Sequence, residues 1–171
     1  MSSILKVDQL QDSGGNALIT SNGSGTITAS KVGIIMADQW RLTSSITANA
    51  DPISSNLERI DTAGQGTIGT AMSVSSGRFT FPSTGIYLVS FNAYGMITSG
   101  GDNIGMYINV TTNNSSYSPV ATNFAGNQGG RSVPVAGSSL IDVTDTSNVK
   151  VSFKASSIDS GSYFFGDTTG S

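Results

Sequence analysis

Carboxylates are the side chains of this sequence best suited to acid–base chemistry, because the chain contains no histidine and no cysteine. Histidine is the commonest general base and metal ligand, and a cysteine thiolate is a common nucleophile. Four aspartates in the C-terminal turns are candidates for an acid–base pair: Asp142, Asp145, Asp159 and Asp167. Each stands among Ser, Thr, Gly or Asn, which is the setting of a turn-forming aspartate. We therefore expect a protein that is not an enzyme, with no catalytic residue, no cofactor and no metal site.

Polar loops offer binding chemistry instead of catalysis. Amide, phenol and guanidinium groups can donate hydrogen bonds to a sugar or to a protein surface. Two stretches between predicted strands combine such groups, and the residues expected to contact a surface are Asn113, Tyr117, Asn123 and Arg131. The glycine-rich stretches 100–105 and 126–130 precede no helix with a lysine, so they do not predict a phosphate site.

Four other residues that could bind a ligand have simpler structural interpretations. Trp40 follows the apolar run IIMA, which favours a position in the core or at a subunit interface over stacking on a sugar. Arg78 alternates with aromatic residues, so we expect it on the solvated face of its strand. Glu58 and Arg59 are interpreted as a solvated strand face in the same way.

The chain of 171 residues has few charges, with 11% of its residues charged and a net charge of −3. Nucleic-acid binding needs clustered Lys and Arg, whereas the eight basic residues here are scattered. No apolar run approaches the roughly 18 residues of a spanning helix, so membrane insertion is not expected. A largely neutral polar surface suits a β protein that stands in an assembly.

Short alternating segments, each followed by turn residues, recur at intervals of roughly 8 to 12 residues and predict an antiparallel all-β sandwich. No segment sustains helical periodicity. The first long segment is IIMADQW and the last is SYFFG. The segments near the N-terminus are too short and too polar to form a core alone, unlike those that follow. We therefore divide the chain into a β-rich N-terminal arm, residues 1–33, and a sandwich domain, residues 34–171.

The arm consists of the short segments ILKVDQLQ, ALIT and TITAS, separated by the turns DSGGN and SNGSG. Hairpins of this length are marginal in water when isolated. We expect the arm to become ordered by pairing with copies of itself or by docking into another protein. Its apolar opening supplies the candidate anchoring residues Ile4, Leu5, Val7 and Leu10.

The stretch GRFTFPSTGIYLVSF, residues 77–91, joins two alternating segments at a fixed turn. Proline has no N–H for a sheet and closes a strand, and glycine accepts a positive φ where the chain reverses. The residues expected to form this buried hairpin corner are Phe79, Phe81, Pro82, Gly85, Tyr87, Val89 and Phe91.

The spacing G-x-F-x-x-P-x-x-G-x-Y-x-V in this stretch resembles the signature of the C1q-type globular head, whose jelly roll is shared with the tumour necrosis factor superfamily. The segment SLIDVTDTSNVKVSF is also similar to later strands of that family. The resemblance implies an antiparallel jelly-roll sandwich that assembles as a homotrimer. The family usually has Phe at the position of Val89. It also ends in a longer apolar strand, whereas this chain ends in DTTGS. Either SYFFG is the final strand, or a neighbour covers the open edge.

Some members of that family bind calcium through acidic loops near the trimer apex. By this resemblance, the candidate calcium ligands in this chain are Asp102 and Asp145. The sequence has no D-x-D-x-D-G loop, so it does not predict a calcium site by its own spacing.

The opening of the arm resembles the N-terminal segments of structural proteins from marine and cyanobacterial bacteriophages, in which ILKVD is followed by a D-x-x-G turn. This resemblance implies a virion protein, made in the host cytoplasm and docked through its arm to other virion proteins of the capsid or tail. We expect a tail fibre that serves host adsorption, with a host cell-surface glycan or protein as a further partner. The alternatives are a capsid decoration protein or head fibre, or a bacterial carbohydrate-binding module.

Overall fold

The computed structural model describes residues 7–29, 33–98, 101–126 and 130–168. In these residues the regular structure consists of β-strands without a helix, and all paired strands are antiparallel. No helix there is long and apolar enough to cross a membrane. The strands are β1 (Gln9–Gln11), β2 (Ala17–Ser21), β3 (Ile27–Ala29), β4 (Trp40–Leu42), β5 (Leu57–Arg59), β6 (Ser73–Ser75), β7 (Arg78–Thr80), β8 (Gly85–Met96), β9 (Asn103–Thr111), β10 (Ser118–Gly126), β11 (Ser132–Val143), β12 (Lys150–Ser156) and β13 (Tyr163–Phe164).

Two larger sheets follow the arm, with the strand orders β10-β9-β12-β7-β6 and β11-β8-β13, and β4 pairs with β5. The pairings are nested within the sequence. β9 pairs with β10, β8 with β11, and β7 with β12. Outside these pairs, Ile46 forms a bridge to Phe164 of β13. The three pairs are nested inside this bridge, while β12 also pairs with β9 and β13 with β8.

Successive side chains of a strand point to opposite faces of its sheet, so each larger sheet turns one set of side chains inwards. The core lies between these two inner faces. Ile104 and Ile108 of β9 are fully buried on one side, and Val135 and Val143 of β11 are buried on the other. Phe164 of the short strand β13 is also fully buried and packs in the same cluster. One continuous apolar core thus holds the sheets together.

The predicted hairpin corner begins at a two-residue turn, Ser76–Gly77, in which both residues have a positive φ, 50° and 74°. A Cβ at Gly77 would collide with the carbonyl oxygen of Ile53, so both the backbone conformation and the available space require glycine. Phe79, Phe81 and Phe91 are buried, Pro82, Tyr87 and Val89 are half-buried, and Gly85 is exposed with a φ of 145°.

The segment 34–53 is less regular than the predicted opening strand. In IIMADQW only Trp40 belongs to a strand, and Ala37 makes a single bridge to Ile68. Further along, Ile46 exchanges two hydrogen bonds of 3.0 Å with Phe164, and Ala50 forms a bridge to Ala155. Within the described residues, the edge of β13 is therefore covered by this chain itself.

The arm forms a separate three-stranded sheet in the order β1-β2-β3. Within the described ranges, its strands contact each other and no strand of the sandwich. The arm therefore presents both of its faces to the surroundings.

Candidate functional site

The two faces of the arm sheet carry different side chains. Ile19 in the central strand pairs with Leu10 of β1, and Ser21, on the same face of the central strand, pairs with Ile27 of β3. Directly paired residues point to the same face of a sheet, so these side chains form one surface. We call Leu10, Ile19 and Ile27 the arm face; their exposed fractions lie between 40% and 67%. The opposite face carries Gln9, Leu18, Thr20 and Thr28.

The predicted anchoring residues fall in different places. Leu10 belongs to the arm face, and Val7 is exposed just before β1. Ile4 and Leu5 lie outside the described residues.

Both turns of the arm are closed by the side chain of the residue that begins them. Asp12 Oδ1 accepts the backbone N–H groups of Gly14 and Asn16, each at 2.9 Å. In the second turn Asn22 Oδ1 accepts two backbone N–H groups at 2.8 and 3.1 Å. Hydrogen bonds from the Asn16 side chain and backbone hold the pKa of Asp12 below its ordinary value. Local side-chain hydrogen bonds therefore hold both turns of the arm.

The outer face of the β8–β11 pair carries a second apolar surface. Leu88 and Leu140 are direct partners across the ladder, and each is 70% exposed. Ile86 on the same face of β8 is 66% exposed. The alternation that turns Tyr87 and Phe91 towards the core turns these residues outwards. We call Ile86, Leu88 and Leu140 the aliphatic patch.

A shallow hollow of about 320 Å³ follows the aliphatic patch along the same two strands. It is lined by Ser90, Phe91, Asn92, Ala136, Gly137 and Ser138. Further along β8, the rings of Tyr94 and Phe165 form an exposed pair with centroids 5.5 Å apart. Asp142 is the single charged residue in the sequences of β8 and β11. Asp142 is the direct partner of Ile86 and borders the aliphatic patch, so the surface is apolar with one charge at its edge. An exposed apolar surface of this kind is typical of a protein contact.

The four predicted loop residues have different surroundings. Asn113 Oδ1 accepts two backbone N–H groups of its own turn, at 3.0 and 2.9 Å. Tyr117 is half-buried, with the Arg78 guanidinium 5.0 Å from its ring centre. Asn123 lies within β10 and not in the predicted loop, and it donates to a carbonyl of β11 at 2.6 Å. Arg131 is exposed. Tyr117 and Asn123 lie six residues apart along an extended segment, which corresponds to roughly 20 Å.

The phenol of Tyr117 differs from a surface phenol. Burial raises the pKa of Tyr117 above its ordinary value, and the neighbouring Arg78 offsets part of that rise. Arg78 is exposed, as expected of the solvated face of its strand, and it covers the Tyr117 ring.

The carboxylates that the sequence offered for acid–base or calcium chemistry act in turns or are exposed. Asp145 accepts the backbone N–H of Ser147 at 2.7 Å and the Asn148 side-chain amide at 2.6 Å. These bonds, the one from Ser147 first, hold the pKa of Asp145 below its ordinary value. The other acidic candidates are exposed: Asp102, Asp142, Asp159 and Asp167. Among the described residues, no three acidic side chains lie close enough to hold a metal ion.

A polar cluster around Asp38 was not predicted from the sequence. The Asp38 side chain is 2% exposed and accepts hydrogen bonds from Arg59 Nε at 2.9 Å, Trp40 Nε1 at 3.1 Å and the Met72 N–H at 2.9 Å. Burial raises the pKa of Asp38, but the hydrogen bonds from Arg59, Trp40 and Met72 outweigh burial and leave that pKa below its ordinary value. An aspartate within the apolar run IIMADQW was the signal that could have revealed this cluster.

The same cluster corrects the interpretation of Glu58 and Arg59 as a solvated face. The Arg59 guanidinium lies 4.7 Å from the centre of the Trp40 ring and pairs with Asp38. Glu58 accepts from Arg41 Nε at 2.9 Å. These ion pairs fasten β4 to β5, and they place Trp40 against the core, where its ring meets Phe79 edge-on at 5.3 Å.

The sequence matches no protein-family model and no curated protein. The fold and the two exposed apolar surfaces are therefore the basis for a functional proposal.

Proposed function

We propose that this protein is a structural protein of a bacteriophage virion, a homotrimeric appendage whose arm docks on the particle and whose jelly roll points outwards. The observation that carries the proposal is the division of the chain into two parts, each with an exposed apolar surface. Those surfaces are the arm face and the aliphatic patch. Neither is covered by another strand of the described chain, so each suits contact with a further chain, either another copy or a different protein.

The nested strand pairing supports a jelly roll for the body. In that fold a long antiparallel ribbon is wound into two facing sheets. The pairs β9–β10, β8–β11 and β7–β12, with the Ile46–Phe164 bridge outside them, follow this order. The C1q-like spacing of residues 77–91 agrees with the same arrangement.

The aliphatic patch supports self-association of the body. Leu88 and Leu140 expose most of their surface side by side, and their strands contain a single charge, Asp142. A ring of identical copies with cyclic symmetry brings this surface against a neighbour without opposing many like charges. The homotrimer is the ring size implied by the resemblance to the C1q-type head.

Adsorption to a host is the role that we assign to the outward end. The body contains no predicted catalytic residue, so we propose a binding and not an enzymatic function, with a host glycan or protein as the target. The same architecture serves a capsid decoration protein or head fibre. An image of the intact particle separates these locations, because copies at the tail support the fibre and copies over the shell support decoration.

Deletion of residues 1–33 tests the proposal. The truncated protein should remain a folded trimer in sedimentation but should not enter particles. Its matched control keeps the arm and replaces exposed Val120 on β10 by Ser, and this control should enter particles normally. Normal incorporation of the truncated protein would place the anchor in the body. Particles that incorporate the truncated protein but fail to adsorb would reverse the proposed polarity.

A further inference from the structure

The arm sheet cannot bury its apolar face by itself. It has one layer, and its strands are only three to five residues long. Leu10, Ile19 and Ile27 project from one side of that layer, while the other side carries Gln9, Thr20 and Thr28 with one exposed leucine, Leu18. A sheet of this size needs a second layer for independent stability.

The chemistry of the arm face favours an uncharged and similar surface as its second layer. The strand residues placed on this face are Leu10, Gln11, Ala17, Ile19, Ser21 and Ile27, and none is charged. A charged partner would leave its own charges unpaired against aliphatic groups. The arm face of a second copy would place its aliphatic groups against those of the first.

The length of the connection holds the arms of one trimer close together. From Ala29 at the end of β3 to Ala37, which forms the bridge to Ile68, the chain takes eight residue steps, which span at most about 29 Å. Arms tethered this closely to an assembled body have a high effective concentration for one another. They therefore meet each other more often than they meet a free partner.

We infer that the arm faces of three copies pack against one another, so that three arm sheets form a three-sided shaft with Leu10, Ile19 and Ile27 inside. This inference rests on the proposed homotrimer. Docking to the particle then uses the outside or the end of the shaft and not the arm face.

Single cysteines in the full-length protein test the shaft, because the native chain has none. Ile27→Cys places a thiol on the arm face, and Thr28→Cys places one on the opposite face of the same strand. Leu10→Cys and Gln9→Cys form a second matched pair on β1, so the test does not depend on one substitution. Purified trimers are treated with a short bismaleimide and separated on a denaturing gel.

Ile27→Cys and Leu10→Cys should give covalent dimers that contain up to two of every three chains, and their polar-face controls should give several-fold less. Equal crosslinking from both faces would overturn the shaft. So would a protein that sediments as a trimer but crosslinks at neither face, which would leave the proposed function standing. If the arm-face thiols are protected from the bismaleimide only in assembled particles, the arm face contacts a particle protein and not another arm. Sedimentation as a monomer would contradict the homotrimer itself.

Discussion

Phe91 of β8 and Gly137 of β11 are direct partners across the ladder, and the Phe91 ring occupies the space that a side chain at position 137 would need. A Cβ on Gly137 would lie 2.8 Å from Cε1 of Phe91, well inside normal carbon contact. Phe91 is buried in the core, so its ring has little room to move. A glycine inside a strand marks such a close approach.

Gly137→Ala should destabilise the protein, because the new methyl group must displace a buried ring. Overpacking of this kind costs about 1–3 kcal/mol, measured as the change in free energy of unfolding in urea. Gly126→Ala is the control, since a Cβ at Gly126 meets nothing within 4 Å. Its effect should stay within about 0.5 kcal/mol.

A second glycine–phenylalanine pair gives a sharper comparison. Gly105 and Phe124 are also direct partners, and a Cβ on Gly105 would collide with the Phe124 ring. Phe124 is exposed, so its ring can turn into solvent. Gly105→Ala should therefore cost less than Gly137→Ala, and equal costs would mean that burial of the ring does not decide the effect.

The corner residue Phe79 should carry a large share of the stability. It is buried and meets Trp40 and Phe153 edge-on at 5.3 and 5.6 Å. Phe79→Ala should cost about 3–5 kcal/mol in the free energy of unfolding and should prevent assembly. Arg78→Ala, one residue earlier on the exposed face, should change that free energy by less than about 1 kcal/mol. Similar losses from both variants would contradict the assigned strand faces.

Local patterns in the sequence were enough to predict the all-β antiparallel class. Alternation has a period of two residues and depends on nothing distant in the chain. The faces of β8 follow from it, with Phe91 inside and Leu88 outside. The turns of the arm follow as well, because Asp12 and Asn22 bond to backbone groups within four residues.

Contacts between distant residues could not be predicted in the same way. Asp38 meets Arg59 and Met72, which lie 21 and 34 residues further along the chain. The apolar face of the arm depends on strand register, which shifts between Leu10 and Gln11. A shift of one residue exchanges the two faces of a strand, and the sequence pattern of the arm is too weak to fix it.

The buried carboxylate of Asp38 should contribute more to the free energy of unfolding than the exposed carboxylate of Asp61. Asp38→Ala leaves Arg59, Trp40 and the Met72 N–H without their acceptor and should cost about 3 kcal/mol in the free energy of unfolding. Asp61 bonds to Arg41 at 2.7 Å, but its side chain is 75% exposed. Asp61→Ala should therefore cost less than about 1 kcal/mol. The reverse order in chemical denaturation would mean that the cluster is not a stabilising unit.

Asp38 should also make the fold sensitive to acid. Its pKa lies below the ordinary value in the folded chain, so the unfolded chain binds the proton more readily. The stabilisation is complete above about pH 4, and it is lost as the pH falls through the lowered pKa of the folded protein. In Asp38→Asn, the free energy of unfolding should therefore fall less steeply with decreasing pH below about pH 4 than in the native protein. Parallel pH curves for the two proteins would contradict the cause assigned to that pKa.

The aliphatic patch should control assembly without controlling folding. Leu88→Ser combined with Leu140→Ser removes two side chains that are each 70% exposed, so the free energy of unfolding of the single chain should change little. If copies of the body meet through this surface, the double variant should sediment as a monomer at concentrations where the native protein is a trimer. Val120→Ser changes an exposed apolar side chain on β10 and should leave the trimer intact. A double variant that keeps the native sedimentation coefficient would show that the body associates through another surface.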